Sequence, residues 1–284
     1  MRLFVTFVLS LFLTCSAFAQ DNVLPLWIDG APGFEDRKDI PERAKEWWVR
    51  DIHNPSLTLF SPGSPNQEAM GTAIIVVPGG GHKDLVFNSE GAKAAKFLSE
   101  QNITAFALKY RLARQPGSDY DIETHAAEDL RRAIRYVRAN AALYNLDTNK
   151  IGVMGFSAGG ELVNLVTYGE TDGDKESNDR VERVSARPDF QIQIYPGPIG
   201  LPDHLKQSPP PAFFLSAFDD AGPELTISRH LDMYRAAGVA AEVHIFAQGG
   251  HAFNMGDRSD LETISKWPDR LKDWLDDSGY SGQP

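Results

Sequence analysis

Cysteine is almost absent. The 284 residues contain one, Cys15, and it falls in a segment expected to be removed, so internal disulfides and cysteine catalysis are excluded. Basic residues are also in deficit: 28 Lys and Arg stand against 39 Asp and Glu, a formal charge of −11. Loss of a leader carrying Arg2 as its one charged side chain takes −11 to −12. A surface of that sign repels polyphosphates and anionic lipid, which argues against nucleic-acid partners and favours neutral substrates. A bilayer-spanning run is missing too. The apolar stretch from Leu3 to Leu13 falls short of the roughly 20 residues a spanning helix needs, so no stable membrane insertion is expected. Finally, no glycine-rich turn ends in Gly-Lys-Ser/Thr or follows the Gly-x-Gly-x-x-Gly spacing, and a phosphate-cradling loop is set aside with them.

What is present starts with an address. Arg2, the apolar run and the small-x-small pattern Ala17-Phe18-Ala19 read as a signal peptide over residues 1–19, with the mature chain beginning at Gln20 and a secreted or periplasmic location. Residues 20–284 are expected to form one domain. Its first part, to about residue 70, is a Pro- and Gly-dotted arm with Pro25, Pro32, Gly33 and Pro41, ending in a short strand at Leu57 to Phe60.

Beyond the arm, apolar runs of strand length alternate with helical patterns. Strands are predicted at Thr72–Val77, Ala105–Lys109, Ile151–Met154, Phe190–Tyr195, Ala212–Ala217 and Glu242–Phe246. Helices are predicted at Glu90–Glu100, Ile122–Leu143, Ala158–Tyr168, Leu225–Ala237 and Leu261–Leu275. Near-continuously apolar strands separated by helices imply an α/β fold with a mostly parallel sheet covered on both faces. The polar, aperiodic stretch 169–180 reads as a solvated connection, with a substrate-selecting lid as its alternative; a calcium loop through Asp172, Asp174 and Glu176 has the wrong spacing.

Chemistry concentrates at four places. Gly155-Phe156-Ser157-Ala158-Gly159 follows a predicted strand and opens a predicted helix, the context in which a sharp turn lifts a serine hydroxyl out of a sheet. Ser157 is therefore the expected nucleophile. A serine hydroxyl needs a histidine base, which in such a chain lies late. His251 in Gly249-Gly250-His251 follows the last strand and fits; His230 and His244 lie within a predicted helix and strand, as surface or packing residues, and His204 in a proline-rich loop. An acid should lie between them, after the preceding strand. Asp219 and Asp220 both qualify, and the spacing to Pro223 favours Asp220, leaving Asp219 to cap the following turn. Lastly, Pro78-Gly79-Gly80-Gly81-His82 offers bare backbone donors for an oxyanion: Gly80 or Gly81 together with Ala158. His82 is read either as a contact to the acyl group or leaving alcohol of the substrate or as a structural residue.

These residues, with Glu90-Gly91, Lys109-Tyr110-Arg111-Leu112, Asp129-Leu130-Arg131-Arg132-Ala133-Ile134 and Arg138, carry a resemblance that runs from Leu26 to Trp274. The chain resembles bacterial α/β-hydrolases of the acetyl-xylan-esterase-like or feruloyl-esterase-like carbohydrate esterase group. That resemblance implies an α/β-hydrolase fold and a serine esterase removing acetyl or other small acyl groups from plant-polysaccharide fragments. It implies no cofactor and no metal, and a small-molecule or oligosaccharide ester as partner. The chain departs from the group where His82 replaces a common Tyr and where Ala221-Gly222-Pro223 replaces a Val-Pro turn. Two other functions fit parts of the pattern: a peptidase of prolyl-oligopeptidase type, which needs a larger N-terminal region than this arm, and a non-catalytic carbohydrate-binding homologue, which has no reason to keep nucleophile, base, acid and glycine loop together. Trp47-Trp48 is read as packing of the arm, with a sugar-stacking platform as the alternative, and Trp267 and Trp274 as docking residues of the last helix. Arg111 is expected to pair with Asp129 or Glu128.

Overall fold

The computed structural model describes residues 22–62 and 71–281. The expected leader, its cleavage point at Ala19 and Cys15 lie outside the described residues. No helix among the described residues is long and apolar enough to cross a membrane.

The strands are β1 (Val23–Pro25), β2 (Arg43–Ala44), β3 (Val49–Arg50), β4 (Ser56–Phe60), β5 (Ala73–Val77), β6 (Thr104–Lys109), β7 (Ile151–Phe156), β8 (Phe190–Ile194), β9 (Ala212–Ala217) and β10 (Ala241–Phe246). The helices are α1 (Lys93–Glu100), α2 (Ala127–Ala139), α3 (Ala158–Thr167), α4 (Ala221–Ala237), α5 (Glu262–Ser265) and α6 (Trp267–Asp277). Eight strands form one sheet in the order β1-β4-β6-β5-β7-β8-β9-β10, and β2 pairs with β3 as a separate hairpin. From β6 to β10 every pairing is parallel, whereas β1 and β4 join antiparallel at one edge. The arm thus contributes two strands to the sheet itself.

The parallel strands are what their composition demands. β5, β7, β8 and β9 are buried along their whole length, because helices cover both faces. On one face Leu130, Ile134 and Val137 of α2 and Leu162, Val163 and Val166 of α3 pack on Ile75, Val77 and Val153. On the other, Leu98 of α1 and Trp267, Leu271 and Trp274 of α6 pack on Ile74, Met154, Phe190 and Phe213, so both tryptophans dock the last helix. The predicted Leu261–Leu275 helix is broken at Lys266, with Pro268 in the first turn of α6; proline is suited to that position because its missing N–H would be unsatisfied there anyway.

Two charged features fix the helix layer. Arg111, at the end of β6, and Asp129 of α2 are both buried, with side-chain exposures of 2% and 0%. The Asp129 carboxylate accepts from the Arg111 backbone N–H (2.8 Å), Nε (3.0 Å) and Nη2 (2.6 Å), and the guanidinium lies over the rings of Trp27 and Tyr120. Removing one partner would strand a buried charge, at a cost of about 3–5 kcal/mol. The 169–180 stretch is held against α2: Glu170 and Asp172 carbonyls accept from Arg131 and Arg135, and Asp179 pairs with Arg132 at 2.6 Å. It leaves the C-terminal end of α3, the end opposite Ser157, some 15 Å away at 1.5 Å rise per residue. That placement matches the solvated connection, not a lid.

Candidate active site

The parallel strands all end on one edge, and the loops that leave β5, β7, β8, β9 and β10 meet there. Ser157 sits between β7 and α3 with φ 48 and ψ −117, a conformation rarely tolerated outside glycine, and one that strain at a functional turn makes intelligible. Small neighbours make the turn possible: a methyl group on Gly159 would collide with the Val77 and Pro78 carbonyls, and one on Gly155 would come within 2.8 Å of Gly159. The Ser157 N–H is held by the Ile194 carbonyl at 3.0 Å. The hydroxyl is thereby aimed above the N-terminus of α3, where the helix dipole favours negative charge.

His251 arrives from the loop after β10. Its Nε2 is 2.8 Å from Ser157 Oγ, and its Nδ1 is 2.6 Å from Oδ2 of Asp220. Asp219, beside it, has a different task from the expected turn cap. Its carboxylate accepts from the Gly250 N–H at 2.8 Å and the Gly249 N–H at 3.2 Å, gripping the loop that carries His251. The Gly250 contact, with that of Gly249, holds the Asp219 carboxyl below its ordinary value. Farther along the loop, Phe253 is buried edge-on against Tyr195, and the Asn254 carbonyl accepts from Trp267 Nε1 at 3.0 Å. The loop is therefore tied at both ends.

Gly80 and Gly81 adopt φ of 123 and 65, which a side chain on Gly80 would block by striking the Asp84 carbonyl. The Gly80 carbonyl instead accepts from the Lys83 and Asp84 N–H groups, closing a tight turn. No acceptor among the described residues meets the Gly80 or Gly81 N–H, and Ala158, first residue of α3, has no carbonyl one turn back inside the helix. Three backbone donors at this edge are thus without an acceptor among the described residues.

His82 is a correction. It is fully buried, and its Nε2 lies 2.8 Å from Oε2 of Glu161, itself nearly buried. With its ring buried against Glu161 of α3 and its backbone at φ 59, it does not line the face a substrate meets. His230 is likewise buried, in α4 beneath β9, and His244 pairs with Glu242; neither approaches Ser157.

One residue of the site escaped sequence reasoning. Glu90 is 2% exposed, and its Oε2 accepts the Gly79 N–H at 2.7 Å while its Oε1 accepts the Tyr195 hydroxyl at 2.9 Å. The same Tyr195 oxygen accepts the Asn254 N–H at 3.1 Å, and Tyr195 itself has φ 40 and stacks obliquely on His251 at 4.9 Å. One carboxylate thus links the glycine loop, the end of β8 and the base loop. The available signal was Glu90-Gly91 at the start of the predicted helix. Burial raises the Glu90 carboxyl to about 6, against the Gly79 N–H and the Tyr195 hydroxyl, which favour the anion. Because the folded state then holds its proton more tightly than the unfolded one, Glu90 adds stability below pH about 4.5 that is lost as pH rises through about 6. For the site the sign is opposite, since only the anion accepts from both donors. Glu90→Gln is expected to lower kcat on the order of 10²-fold with little change in KM, as for a displaced catalytic loop. The wild type is expected to lose a further part of kcat below about pH 6 that the variant does not show. Parallel pH–rate profiles for the two proteins would refute this positioning role if they superimposed.

Comparisons with known proteins bear on this geometry. Residues 58–207 match the BD-FAE family. An acetylxylan esterase of Xylanibacter ruminicola is 29% identical over 243 residues, 73% of this chain and 45% of that protein. Endo-1,4-beta-xylanase B of Butyrivibrio fibrisolvens is 32% identical over 131 residues, 46% of this chain and 20% of that protein. The chain accordingly spans less than half the length of these relatives. Among solved structures, an acetyl ester-xyloside bifunctional hydrolase from Caldicellulosiruptor lactoaceticus superposes with a TM-score of 0.73 at 29% identity, over 92% of this chain and 97% of that one. A thermophilic esterase from Thermogutta terrifontis, at 20% identity and TM-score 0.68 over 81% of this chain and 92% of that one, shows the shared fold alone. With more than half its length matched and its strand order, serine turn and late histidine in place, the chain has the α/β-hydrolase fold and belongs to the BD-FAE family.

Proposed function

We propose that the chain is an exported serine carboxylesterase that removes acetyl or other small acyl groups from xylan-type fragments through an acyl-enzyme. The observation that carries this reading is the continuous Ser157–His251–Asp220 relay, with contacts of 2.8 and 2.6 Å, at the sheet edge where the Gly80, Gly81 and Ala158 N–H groups have no acceptor among the described residues. His251 takes the Ser157 proton on Nε2 as Oγ bonds to the ester carbonyl carbon, and the Asp220 carboxylate steadies the imidazolium. The former carbonyl oxygen takes up the charge and is held by the glycine-loop and Ala158 N–H groups. Collapse breaks the bond to the alcohol oxygen, which leaves with the proton from Nε2. Water then repeats the sequence on the acyl-Ser157, returning the free acid. The kinship with an acetylxylan esterase and an acetyl ester-xyloside hydrolase supports an acetylated sugar as substrate, and the acidic surface is compatible with a neutral polysaccharide. The leader-like residues 1–19 support action outside the cytoplasm.

The purified protein is expected to release acetate from acetylated xylan faster than ferulate from a feruloylated sugar, and to leave aminoacyl p-nitroanilides intact. Hydrolysis of the anilides at a rate matching the esters would replace the esterase reading with a peptidase one. Absence of turnover on all three, without labelling of Ser157 by a fluorophosphonate, would leave a binding protein.

A further inference from the structure

The two adjacent tryptophans of the arm have different surroundings. Trp48 is flanked by Lys45 and Arg50 of its own hairpin, whose cations lie 5.7 and 4.5 Å from its ring, so its partners lie within the arm. Trp47 is 53% exposed, and neither its ring nor its indole N–H meets a partner among the described residues. A large aromatic face left open to water is informative when it borders a cavity, and this one does. Trp47 and Glu46 form one wall of a space of about 760 Å³ whose other walls include Ser89, Glu90, Ala252 and Arg258. That volume lies within the range of about 300–1,000 Å³ usual for small-molecule sites, and far exceeds what an acetyl group fills.

The wall is held in place. The β2–β3 hairpin carrying Trp47 is bonded to the segment that follows the glycine loop: Val49 and Leu85 exchange backbone hydrogen bonds of 2.9 and 3.0 Å. Arg50 pairs with Asp84 at 2.5 Å, and Asn88 Nδ2 donates to the Glu46 carbonyl at 2.7 Å. Arg258, also in the lining, gives one donor to the Ala252 carbonyl at 3.2 Å, and the rest of its guanidinium fork meets no partner among the described residues. An open indole face, a carboxylate, a hydroxyl and a guanidinium around one cavity suit a polyhydroxylated ring, whose C–H face lies on the aromatic and whose hydroxyls bond to the rim. The link to the reaction is Ala252, which lines the cavity and follows His251 in the chain. The departing oxygen must lie against His251 Nε2, which protonates it.

We infer that this cavity is the subsite for the sugar alcohol of the ester, with Trp47 as its stacking platform and Arg258 and Glu46 as its polar contacts. The inference rests on the esterase reading and names which part of the substrate the enzyme grips. Trp47→Ala is expected to lower kcat/KM on an acetylated xylo-oligosaccharide at least tenfold more than on p-nitrophenyl acetate, chiefly through KM, and Trp47→Phe to restore most of the loss. Arg258→Met is expected to give the same selective rise in KM. Equal effects on both substrates, or no effect on either, would overturn the subsite. So would a selective loss on methyl ferulate, since that would place the acyl group in the cavity. A wild-type protein that hydrolyses p-nitrophenyl acetate but releases no acetate from the oligosaccharide would instead defeat the functional reading itself.

Discussion

Ser157→Ala is expected to reduce kcat by about 10⁶-fold, the order seen when a serine nucleophile is removed from a triad, while leaving the thermal midpoint within a few degrees of wild type. The size follows from the geometry. Ser157 Oγ is the hydrogen-bond partner of His251 Nε2, so its loss leaves the base with nothing to deprotonate and no atom to carry the acyl group. What survives is the glycine-loop and Ala158 donors, worth a residual acceleration of about 10³–10⁴ over water in comparable sites. A single-turnover assay with p-nitrophenyl acetate measures both. Activity of the variant within tenfold of wild type would remove Ser157 from the mechanism, and with it the proposal.

The second large effect separates two neighbouring carboxylates. Asp220→Asn is expected to cost about 10⁴-fold in kcat, because an amide can donate to Nδ1 and so stabilise the wrong imidazole tautomer. Asp219→Asn leaves that tautomer alone. Its carboxylate receives two backbone N–H groups from Gly249 and Gly250, and the asparagine carbonyl keeps at least one of them, so a loss of no more than about tenfold is expected, at about 1 kcal/mol per hydrogen bond. Measured kcat values for the two variants in the reverse order would exchange their roles.

How far these assignments were legible depends on the range of the interaction concerned. The strands read cleanly because β5, β7 and β9 are buried on both faces and carry near-continuous apolar runs. β7, the glycine turn and α3 are also contiguous, so Ser157 could be placed from nearby residues alone. Boundaries were less legible where local pattern met tertiary demand. The helix predicted from Glu90 begins at Phe87 as a wider turn that buries Glu90 and Gly91, because the Glu90 carboxylate has a task at Gly79 and Tyr195. His82 looked available because it follows three glycines; only the buried Glu161 carboxylate, 79 positions away in α3, shows why it turns inward. Trp47 and Trp48 are adjacent in sequence and indistinguishable by composition, yet the hairpin points one at Lys45 and Arg50 and the other at an open cavity.

The sequence by itself determined the layered α/β architecture, the serine turn, the late histidine and the glycine loop, since each follows from residue type and spacing within a few positions. Only the tertiary structure decided which of two aspartates meets His251, which histidine is buried, and that Glu90 joins three loops. Those outcomes depend on side chains brought together from strand ends far apart in the chain, where a displacement of an ångström changes the partner and no local pattern records it.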